Sequence, residues 1–320
     1  MNNYTGRARS RASLRALVCA ALVVSFVCAG AARAAAQGGA TPAPFTFAPV
    51  ASAQAAAQGP KEVTVFGQRI RYVEAGSGPV VVLLHGLGGN YTNWVFNVPA
   101  LSQKYRVIVP DQIGFGSSDK PLINYRVGTY VDFLDKFLDQ LKVERATLVG
   151  NSMGGWVAAA YALQKPLRVE RLVLVDAAGF RPPKEFDLAT LSGLNPSTRD
   201  AMRQLVALVF YNKALFASDA AIDLMLTQRI AAGDGYTIQS LVESIYRGQD
   251  MLDGRLSAIK QPTLIVWGRE DGLTPLAREG ERFHREIPQS QMVVFDACGH
   301  VPQVEKASDF NAAVLKFLAG

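Results

Sequence analysis

A serine flanked by glycines stands between an apolar run and a helical pattern at residues 148–157, LVGNSMGGWV. Ser152 has glycine two positions before it and two positions after it, which is the G-x-S-x-G spacing of a tight strand-to-helix turn. Both glycines are needed because such a turn leaves no room for side chains. The turn also places the hydroxyl at a helix N-terminus, where the helix dipole favours negative charge. The pattern predicts that Ser152 is a nucleophile.

A serine hydroxyl is a weak nucleophile, so the chain must also supply a base. An imidazole can take the serine proton. The chain has three histidines. His85 lies in a glycine-rich loop and His284 lies in the helical pattern RFHRE, whereas His300 follows an apolar run and a glycine. By position and by elimination, His300 is the predicted base.

The base in turn needs a carboxylate, which fixes its tautomer and stabilises its cation. Asp271 follows the apolar run PTLIVWG at 262–268, and Asp176 ends the run LVLVD. Either acid gives the chain order Ser, Asp, His, and we predict Asp271 because its G-x-x-D pattern before Pro275 matches the usual placement of such an acid. Asp176 stands as the rival acid.

The elements that must position these groups are read from periodicity. Two alternating runs, 61–67 and 69–76, predict an antiparallel hairpin that turns at Gly67-Gln68. Further strands are predicted at 79–86, 105–111, 146–151, 171–177, 262–268 and 291–297, and helices at 127–141, 153–165, 275–287 and 308–320. Alternating strands and helices indicate a mainly parallel sheet, whose ligand sites lie at the carboxyl ends of the strands.

The stretch 181–259 breaks this alternation, because it has helical patterns and no predicted strand. We interpret it as a helical cap, inserted between two parts of an α/β core at 61–180 and 260–320. The cap is expected to line an apolar substrate pocket with Phe210, Tyr211 and Met225. Trp156, in the helix after Ser152, is expected to join them. The alternative is that these helices pack together without binding substrate.

Five segments resemble motifs of the α/β-hydrolase superfamily in their usual order, and the resemblance runs from about Lys61 to Gly320. They are HGLGG, DQIGFGSSDKP, GNSMGG, GREDGLTP and CGHVPQVEK. The resemblance implies an α/β-hydrolase fold, with a mainly parallel sheet, helices on both faces and an inserted helical cap. It also implies that the backbone N–H groups of Leu87 and Met153 form an oxyanion hole, with Gly88 as the alternative second donor.

The resemblance implies a serine hydrolase with Ser152, Asp271 and His300 as its triad. We expect small carboxylic esters with an apolar part as substrates. Carbon–carbon bond or lactone hydrolysis is the alternative, because GNSMGG and the cap are similar to the meta-cleavage-product hydrolases. Those enzymes usually have tryptophan after the histidine and Arg-Phe after the acid, where this chain has Val301 and Gly272-Leu273.

An alternative from a different class of function is a ligand-binding or sensor protein on the same fold.

No cofactor fingerprint is found, because HGLGG lacks the dinucleotide-binding spacing. Three scattered histidines and one cysteine beyond residue 36 give no metal-ligand cluster. The sequence therefore predicts no cofactor and no metal.

The first 60 residues have a different composition. Residues 1–36 combine arginines, no acidic residue, the apolar run 16–32 and Ala-x-Ala sites, which predicts a secretory signal peptide and an exported protein. The alternative is an uncleaved membrane anchor, and only then is a membrane partner expected. Residues 37–60 are predicted to be a flexible linker. Five of the basic residues lie in the first 36, so the rest carries about +1 and gives no evidence for nucleic-acid binding.

Overall fold

The computed structural model describes residues 59–183 and 185–320. The predicted signal peptide at 1–36 and most of the predicted linker, 37–58, lie outside the described residues. Within the described ranges, no helix combines the length and the apolar character needed to span a bilayer.

An eight-stranded sheet forms the centre of the described chain. The strands are β1 (Lys61–Val65), β2 (Gln68–Ala75), β3 (Val80–Leu84), β4 (Arg106–Pro110), β5 (Ala146–Asn151), β6 (Val169–Val175), β7 (Thr263–Gly268) and β8 (Gln291–Phe295). Their order in the sheet is β1-β2-β4-β3-β5-β6-β7-β8. Strands β3 to β8 pair in parallel, whereas β2 is antiparallel to β1 and to β4. This is the predicted α/β-hydrolase fold, with an antiparallel hairpin at one edge.

The helices cover the sheet and fill one long insertion. They are α1 (Val98–Leu101), α2 (Val127–Gln140), α3 (Met153–Gln164), α4 (Leu188–Ser192), α5 (Arg199–Val209), α6 (Lys213–Phe216), α7 (Asp219–Ala232), α8 (Gly235–Tyr246), α9 (Gly280–Glu286), α10 (Pro302–Glu305) and α11 (Ala307–Ala319). Short 3₁₀ turns occupy Tyr91–Trp94, Pro166–Arg168 and Leu256–Ala258. Helices α4 to α8 all lie between β6 and β7, in the stretch interpreted from sequence as a cap.

Strand β3 shows why an uninterrupted apolar run forms a central strand. Side chains alternate between the two faces of a strand, so Val82 and Leu84 enter one hydrophobic cluster while Val81 and Leu83 enter the other. All four are at most 1% exposed. Full burial stabilises the fold by about 1.5–3 kcal/mol for each such side chain.

Two predicted boundaries are wrong. The hairpin turns at Phe66-Gly67 instead of Gly67-Gln68, and both turn residues have positive φ, 49° and 76°. These angles suit the twist of a two-residue hairpin. The helix predicted from Pro275 begins instead at Gly280. The carbonyl of Pro275 accepts the backbone N–H groups of Arg278 and Glu279, so a separate turn precedes the helix.

Candidate active site

Ser152 lies between β5 and α3 in a strained conformation, with φ 56° and ψ −121°. A non-glycine residue at positive φ is uncommon and costs free energy, and such strain clusters at functional sites. The flanking glycines allow the turn. A Cβ atom on Gly150 would collide with the backbone carbonyl of Gly154, and one on Gly154 would collide with the carbonyl of Leu84.

His300 and Asp271 come together at the ends of neighbouring strands. The Nδ1 atom of His300 lies 2.8 Å from Oδ2 of Asp271, and both side chains are at most 5% exposed. Nε2 of His300 is buried and has no hydrogen-bond partner among the described residues. The amide of Asn151, the residue before Ser152, donates to the backbone carbonyl of His300 at 3.0 Å. The serine turn and the histidine loop are thereby joined.

Asp271 accepts hydrogen bonds from four donors. Its Oδ1 accepts from the backbone N–H groups of Leu273 (2.8 Å) and Thr274 (3.1 Å), and its Oδ2 accepts from the Thr274 hydroxyl (2.6 Å) and from His300. Burial by itself raises the pKa of Asp271. The contact with His300, together with these hydrogen bonds, outweighs burial and holds its pKa below the usual range. Asp271 is therefore the ionised acid of this pair.

Asp176, the rival acid, lies beside Asp271 without a hydrogen bond to His300. It is fully buried, and its Oδ1 accepts the backbone N–H of Gly268 at 2.9 Å. The polar atoms of Asp176, Asp271 and His300 all lie within 4.8 Å of one another. Burial, and then the neighbouring charge of Asp271, raises the pKa of Asp176 well above its usual range. The geometry thus favours Asp271 as the partner of the histidine, as the sequence predicts.

The glycine-rich loop after β3 is fixed by a buried histidine. His85 is fully buried, and its Nε2 accepts the backbone N–H of Gln112 at 3.0 Å while Nδ1 faces the carbonyl of Gly86 at 2.8 Å. Burial lowers the pKa of His85, so the ring is neutral. A Cβ atom on Gly86 would lie 3.1 Å from Cβ of Ser152, so this loop passes directly beside the serine.

The two predicted oxyanion donors flank this point. Leu87 follows Gly86 in the loop, and Met153 opens helix α3 directly after Ser152. Neither backbone N–H donates to a protein acceptor among residues 59–183 and 185–320. Gly88, the alternative donor, has φ 68° and packs against the guanidinium of Arg229 from helix α7. The assignment of the oxyanion hole stays a prediction.

The side chain of Arg229, in the insertion, reaches the glycine-rich loop after β3. The side chain of Arg229 is 12% exposed and forms an ion pair with Asp234, which is 1% exposed. Burial lowers the pKa of the arginine. The pair joins the end of α7 to the start of α8 directly above the loop that contains Gly88.

The insertion is also tied to the two loops that carry the histidine and the acid. The carbonyl of Val209 accepts the backbone N–H of His300 at 2.7 Å, and the carbonyl of Leu208 accepts that of Gly272 at 3.1 Å. Glu305 completes this connection. Its carboxylate accepts backbone N–H groups from Gly299 at 2.7 Å and from Tyr211 at 3.1 Å. It also accepts the N–H of Asn212 at 3.1 Å.

The four predicted substrate-binding residues occupy different environments. Phe210 and Met225 pack at the edge of a small cluster built on Met202, Val206 and Ile222. Tyr211 is 49% exposed. Trp156 is 3% exposed in the main core, where its indole N–H donates to the carbonyl of Asp250. Their contact with substrate stays a prediction.

A surface groove of about 500 Å³ lies between the hairpin β1–β2 and helix α2 and contains none of these residues. Phe66, Pro121 and Phe133 are among the residues that line it. Nothing in its lining belongs to the strand ends that carry Ser152 and His300.

Several residues that shape the site were not predicted individually. Thr274 and Glu305 belong to the motifs GREDGLTP and CGHVPQVEK, so their positions were visible but their roles were not. Asn151 was read only as part of the serine turn. Arg229 gave no signal, because a single arginine in an amphipathic helix resembles any solvated surface residue.

Known proteins match most of the chain. A family model described as "alpha/beta hydrolase fold" matches residues 79–307. The 2-hydroxy-6-oxo-2,4-heptadienoate hydrolase of Pseudomonas putida is 36% identical over 258 residues, which covers 77% of this chain and 91% of that protein.

Two solved structures are similar across nearly their whole length. The meta-cleavage product hydrolase from Pseudomonas fluorescens is 33% identical with a TM-score of 0.73, covering 81% of this chain and 97% of that chain. A structure described as a membrane phospholipase A, a bacterial virulence factor, is 27% identical, also with a TM-score of 0.73. It covers 98% of both chains.

Proposed function

The chain belongs to the α/β-hydrolase fold family, and from that premise we propose that Ser152, His300 and Asp271 act as a catalytic triad. The observation that carries the proposal is the buried contact of 2.8 Å between His300 and Asp271, in a loop that is hydrogen-bonded to Asn151, the residue before the strained Ser152. In other serine hydrolases such an arrangement makes the serine oxygen nucleophilic, because the imidazole removes its proton.

The reaction would proceed in two steps. Oγ of Ser152 attacks the carbonyl carbon of the substrate while Nε2 of His300 takes the hydroxyl proton. The N–H groups of Leu87 and Met153 hold the oxyanion. The bond from the carbonyl carbon to the leaving atom then breaks, and the leaving atom takes the proton from His300. In the second step, water activated by His300 releases the acyl group from Ser152 as a carboxylic acid.

For the substrate class, we propose carbon–carbon bond hydrolysis of small unsaturated oxo-acids. The proposal is supported by the 36% identical heptadienoate hydrolase and by the similar meta-cleavage product hydrolase. Arg229 supports it on physical grounds. A dienoate substrate carries a carboxylate, and Arg229 is a buried guanidinium against the loop that holds a predicted oxyanion donor.

Hydrolysis of a carboxylic ester, including an ester of a membrane lipid, is the second candidate. Two observations favour it. The chain has Val301 and Gly272-Leu273 where the carbon–carbon hydrolases usually have tryptophan and Arg-Phe. The structure described as a membrane phospholipase A has the same TM-score, 0.73, as the meta-cleavage product hydrolase structure.

A substrate panel separates the two candidates. The purified protein is given 2-hydroxy-6-oxo-dienoates, p-nitrophenyl esters of increasing chain length and a phospholipid, with Ser152→Ala as the matched control. We expect turnover of dienoates at a kcat/KM above that of any ester, and no turnover by the variant. Faster ester turnover would replace the first candidate by the second. Undiminished turnover by Ser152→Ala would reject the triad.

The variant Arg229→Gln, given the same substrates, tests whether Arg229 binds a substrate carboxylate. If Arg229 binds a substrate carboxylate, the variant should raise KM for dienoates about tenfold or more while KM for a neutral ester changes little. Comparing the two substrates on one variant cancels any loss of stability from the broken ion pair with Asp234. An equal rise for both substrates would show that Arg229 only holds α7 against α8.

The location of the protein is proposed from its first 36 residues. We propose export through a signal peptide, with a retained membrane anchor as the alternative. Mass spectrometry of the protein from an exporting bacterial host distinguishes them, because cleavage removes about 36 residues. A full-length mass in the membrane fraction would favour the anchor.

A further inference from the structure

Two buried carboxyl groups lie side by side at the ends of β6 and β7, and the proposed mechanism uses only one. Asp271 contacts His300 at 2.8 Å, and a carboxyl oxygen of Asp176 lies within 4.8 Å of one of Asp271. Two carboxylates at such short range do not both ionise in a buried site, because the like charges repel and water is excluded. One of the two therefore carries a proton.

The hydrogen bonds of the two carboxyl groups indicate which of them carries the proton. Asp271 accepts from four protein donors, three of them neutral groups and the fourth the imidazole of His300. Asp176 accepts from one, the backbone N–H of Gly268 at Oδ1. Its other oxygen, Oδ2, is buried and meets no donor among the described residues. An ionised carboxylate would leave that oxygen unsatisfied, whereas a carboxyl group with its proton on Oδ2 can itself be the donor.

The backbone of Asp176 is held in an unusual conformation. Its φ is 42°, a left-handed conformation that is uncommon for residues other than glycine. The residue is held there by its backbone N–H, which donates to the carbonyl of Val266 at 3.0 Å. The hydroxyl of Thr274 lies 3.2 Å from its carbonyl. A strained, fully buried acid that is fixed by its neighbours is more than a packing residue.

We infer that Asp176 is a positioning residue, whose protonated carboxyl group donates a hydrogen bond to the carboxylate of Asp271. This extra donor keeps Asp271 ionised and fixes its orientation toward Nδ1 of His300. The inference rests on the proposed roles of Asp271 and His300. The other ionisable groups that face Asp176 are His300 itself, Cys298 and Glu305.

Burial, the charge of Asp271 and the hydrogen bond between the two carboxyl groups raise the pKa of Asp176, in agreement with this geometry. The same hydrogen bond contributes to the low pKa of Asp271. The proton thus stays on Asp176 and the charge stays on Asp271.

Two substitutions at one position test the inference. Asp176→Asn keeps an N–H donor toward Asp271 and an oxygen for the N–H of Gly268, and asparagine tolerates the left-handed backbone. Asp176→Ala removes the donor. The readout is the rate at which a fluorophosphonate labels Ser152, measured as a function of pH, with thermal melting as the check on folding.

We expect Asp176→Asn to label within about threefold of the wild type with the same pH profile. Asp176→Ala should label about 100-fold more slowly, the scale of loss for a misplaced catalytic group. If Asp176→Asn falls to the rate of Asp271→Asn, then Asp176 acts as an ionised acid and the inference is wrong. It is equally wrong if a folded Asp176→Ala labels as fast as the wild type.

An infrared difference spectrum between wild type and Asp176→Asn tests the proton without any catalysis. At neutral pH it should contain the C=O stretch of a protonated carboxylic acid, shifted when the protein is grown with ¹³C-labelled aspartate. Its absence would overturn the inference even if Asp176→Ala does not fold. If the band is present but the wild type is never labelled at Ser152, the inference about the hydrogen bond stands and the proposed triad fails.

Discussion

The carboxyl edge of the sheet and the insertion between β6 and β7 are built in different ways. At the sheet edge, Asp176, Asp271 and His300 are almost completely buried and hydrogen-bonded to one another or to the backbone. In the insertion, a small apolar cluster packs around Met202 and Ile222, and several large side chains remain exposed. Polar contacts therefore hold the candidate reactive groups at the sheet edge, whereas apolar packing holds the small cluster of the insertion together.

One seam between the two regions lies at the end of α5. Leu208 and Val209 at the end of α5 accept backbone hydrogen bonds from the acid loop and from the histidine loop. Glu305, which follows the histidine loop, accepts the backbone N–H groups of Tyr211 and Asn212 from the insertion. Substitutions at the sheet edge should therefore change kcat, those in the seam should change kcat and stability together, and those in the apolar cluster should change KM. The following predictions test that division.

The largest effect is expected from Asp271→Asn. Asparagine keeps the shape of the side chain but cannot hold the imidazole of His300 in the required tautomer, and in other triads this change lowers kcat by about 10⁴-fold. Steady-state kinetics on the substrate identified by the panel measures it. Thr274→Val, which removes one neutral donor to Asp271, is the matched control and should cost far less. A loss below about tenfold for Asp271→Asn would contradict the assignment of the acid.

A smaller effect is expected from Glu305→Ala in the seam. Its carboxylate accepts three backbone N–H groups, one of them from the residue before His300, so its loss should let the histidine loop move. We expect kcat to fall about 10- to 100-fold and the free energy of unfolding to fall by about 1.5–3 kcal/mol. Glu243→Ala, a surface glutamate of α8 paired with Arg247, is the control. Unchanged kcat in Glu305→Ala would mean that the seam does not support the site.

The stability of the sheet edge should depend on pH through Asp176. Its pKa is raised in the folded state, so the folded protein keeps a proton that the unfolded chain releases above a pH of about 4. As the pH rises from there toward the folded-state pKa, the wild type should lose stability relative to Asp176→Asn. The loss should approach about 1.4 kcal/mol per pH unit.

Urea unfolding of the wild type and of Asp176→Asn at several pH values measures this difference. Below pH 4 the acid is protonated in both states of the wild type, so the difference in the free energy of unfolding should become independent of pH there. Parallel pH curves for the two proteins would show that Asp176 has the same pKa in both states.

The smallest effect is expected in the apolar cluster of the insertion. Phe216 stacks on Phe210 with ring centroids 3.9 Å apart. Phe216→Ala should raise KM a few-fold and leave kcat almost unchanged, because it loosens the insertion without touching the sheet edge. Phe216→Leu, which keeps most of the apolar volume, is the control. A fall in kcat larger than that of Glu305→Ala would contradict the expectation that the apolar cluster of the insertion affects KM and the sheet edge affects kcat.

The positions of the three candidate catalytic residues could be predicted because each of them follows a strand. Ser152, Asp271 and His300 all follow apolar runs, and parallel strands bring their carboxyl ends to one edge. The preference for Asp271 over Asp176 rests on its G-x-x-D position before a proline, and in the structure His300 forms its hydrogen bond with Asp271. Local patterns with such fixed consequences are readable from sequence alone.

The features of the site that the sequence did not predict depend on contacts between segments that are distant along the chain. No local pattern shows that Glu305 gathers N–H groups from Tyr211 and Asn212, or that Arg229 pairs with Asp234 above the loop of Gly88. The late start of α9 at Gly280 had a related cause. Pro275 opens a separate turn, which the helical periodicity of that stretch does not reveal.

The proposed catalysis depends above all on Ser152 as the nucleophile, activated by His300. The most direct test is to treat the wild-type protein at neutral pH with a fluorophosphonate and to map the adduct by peptide mass spectrometry. We expect one adduct, on the peptide that contains Ser152, and none in Ser152→Ala or after heat unfolding. An adduct on a different residue, or none on the folded wild type, would contradict it.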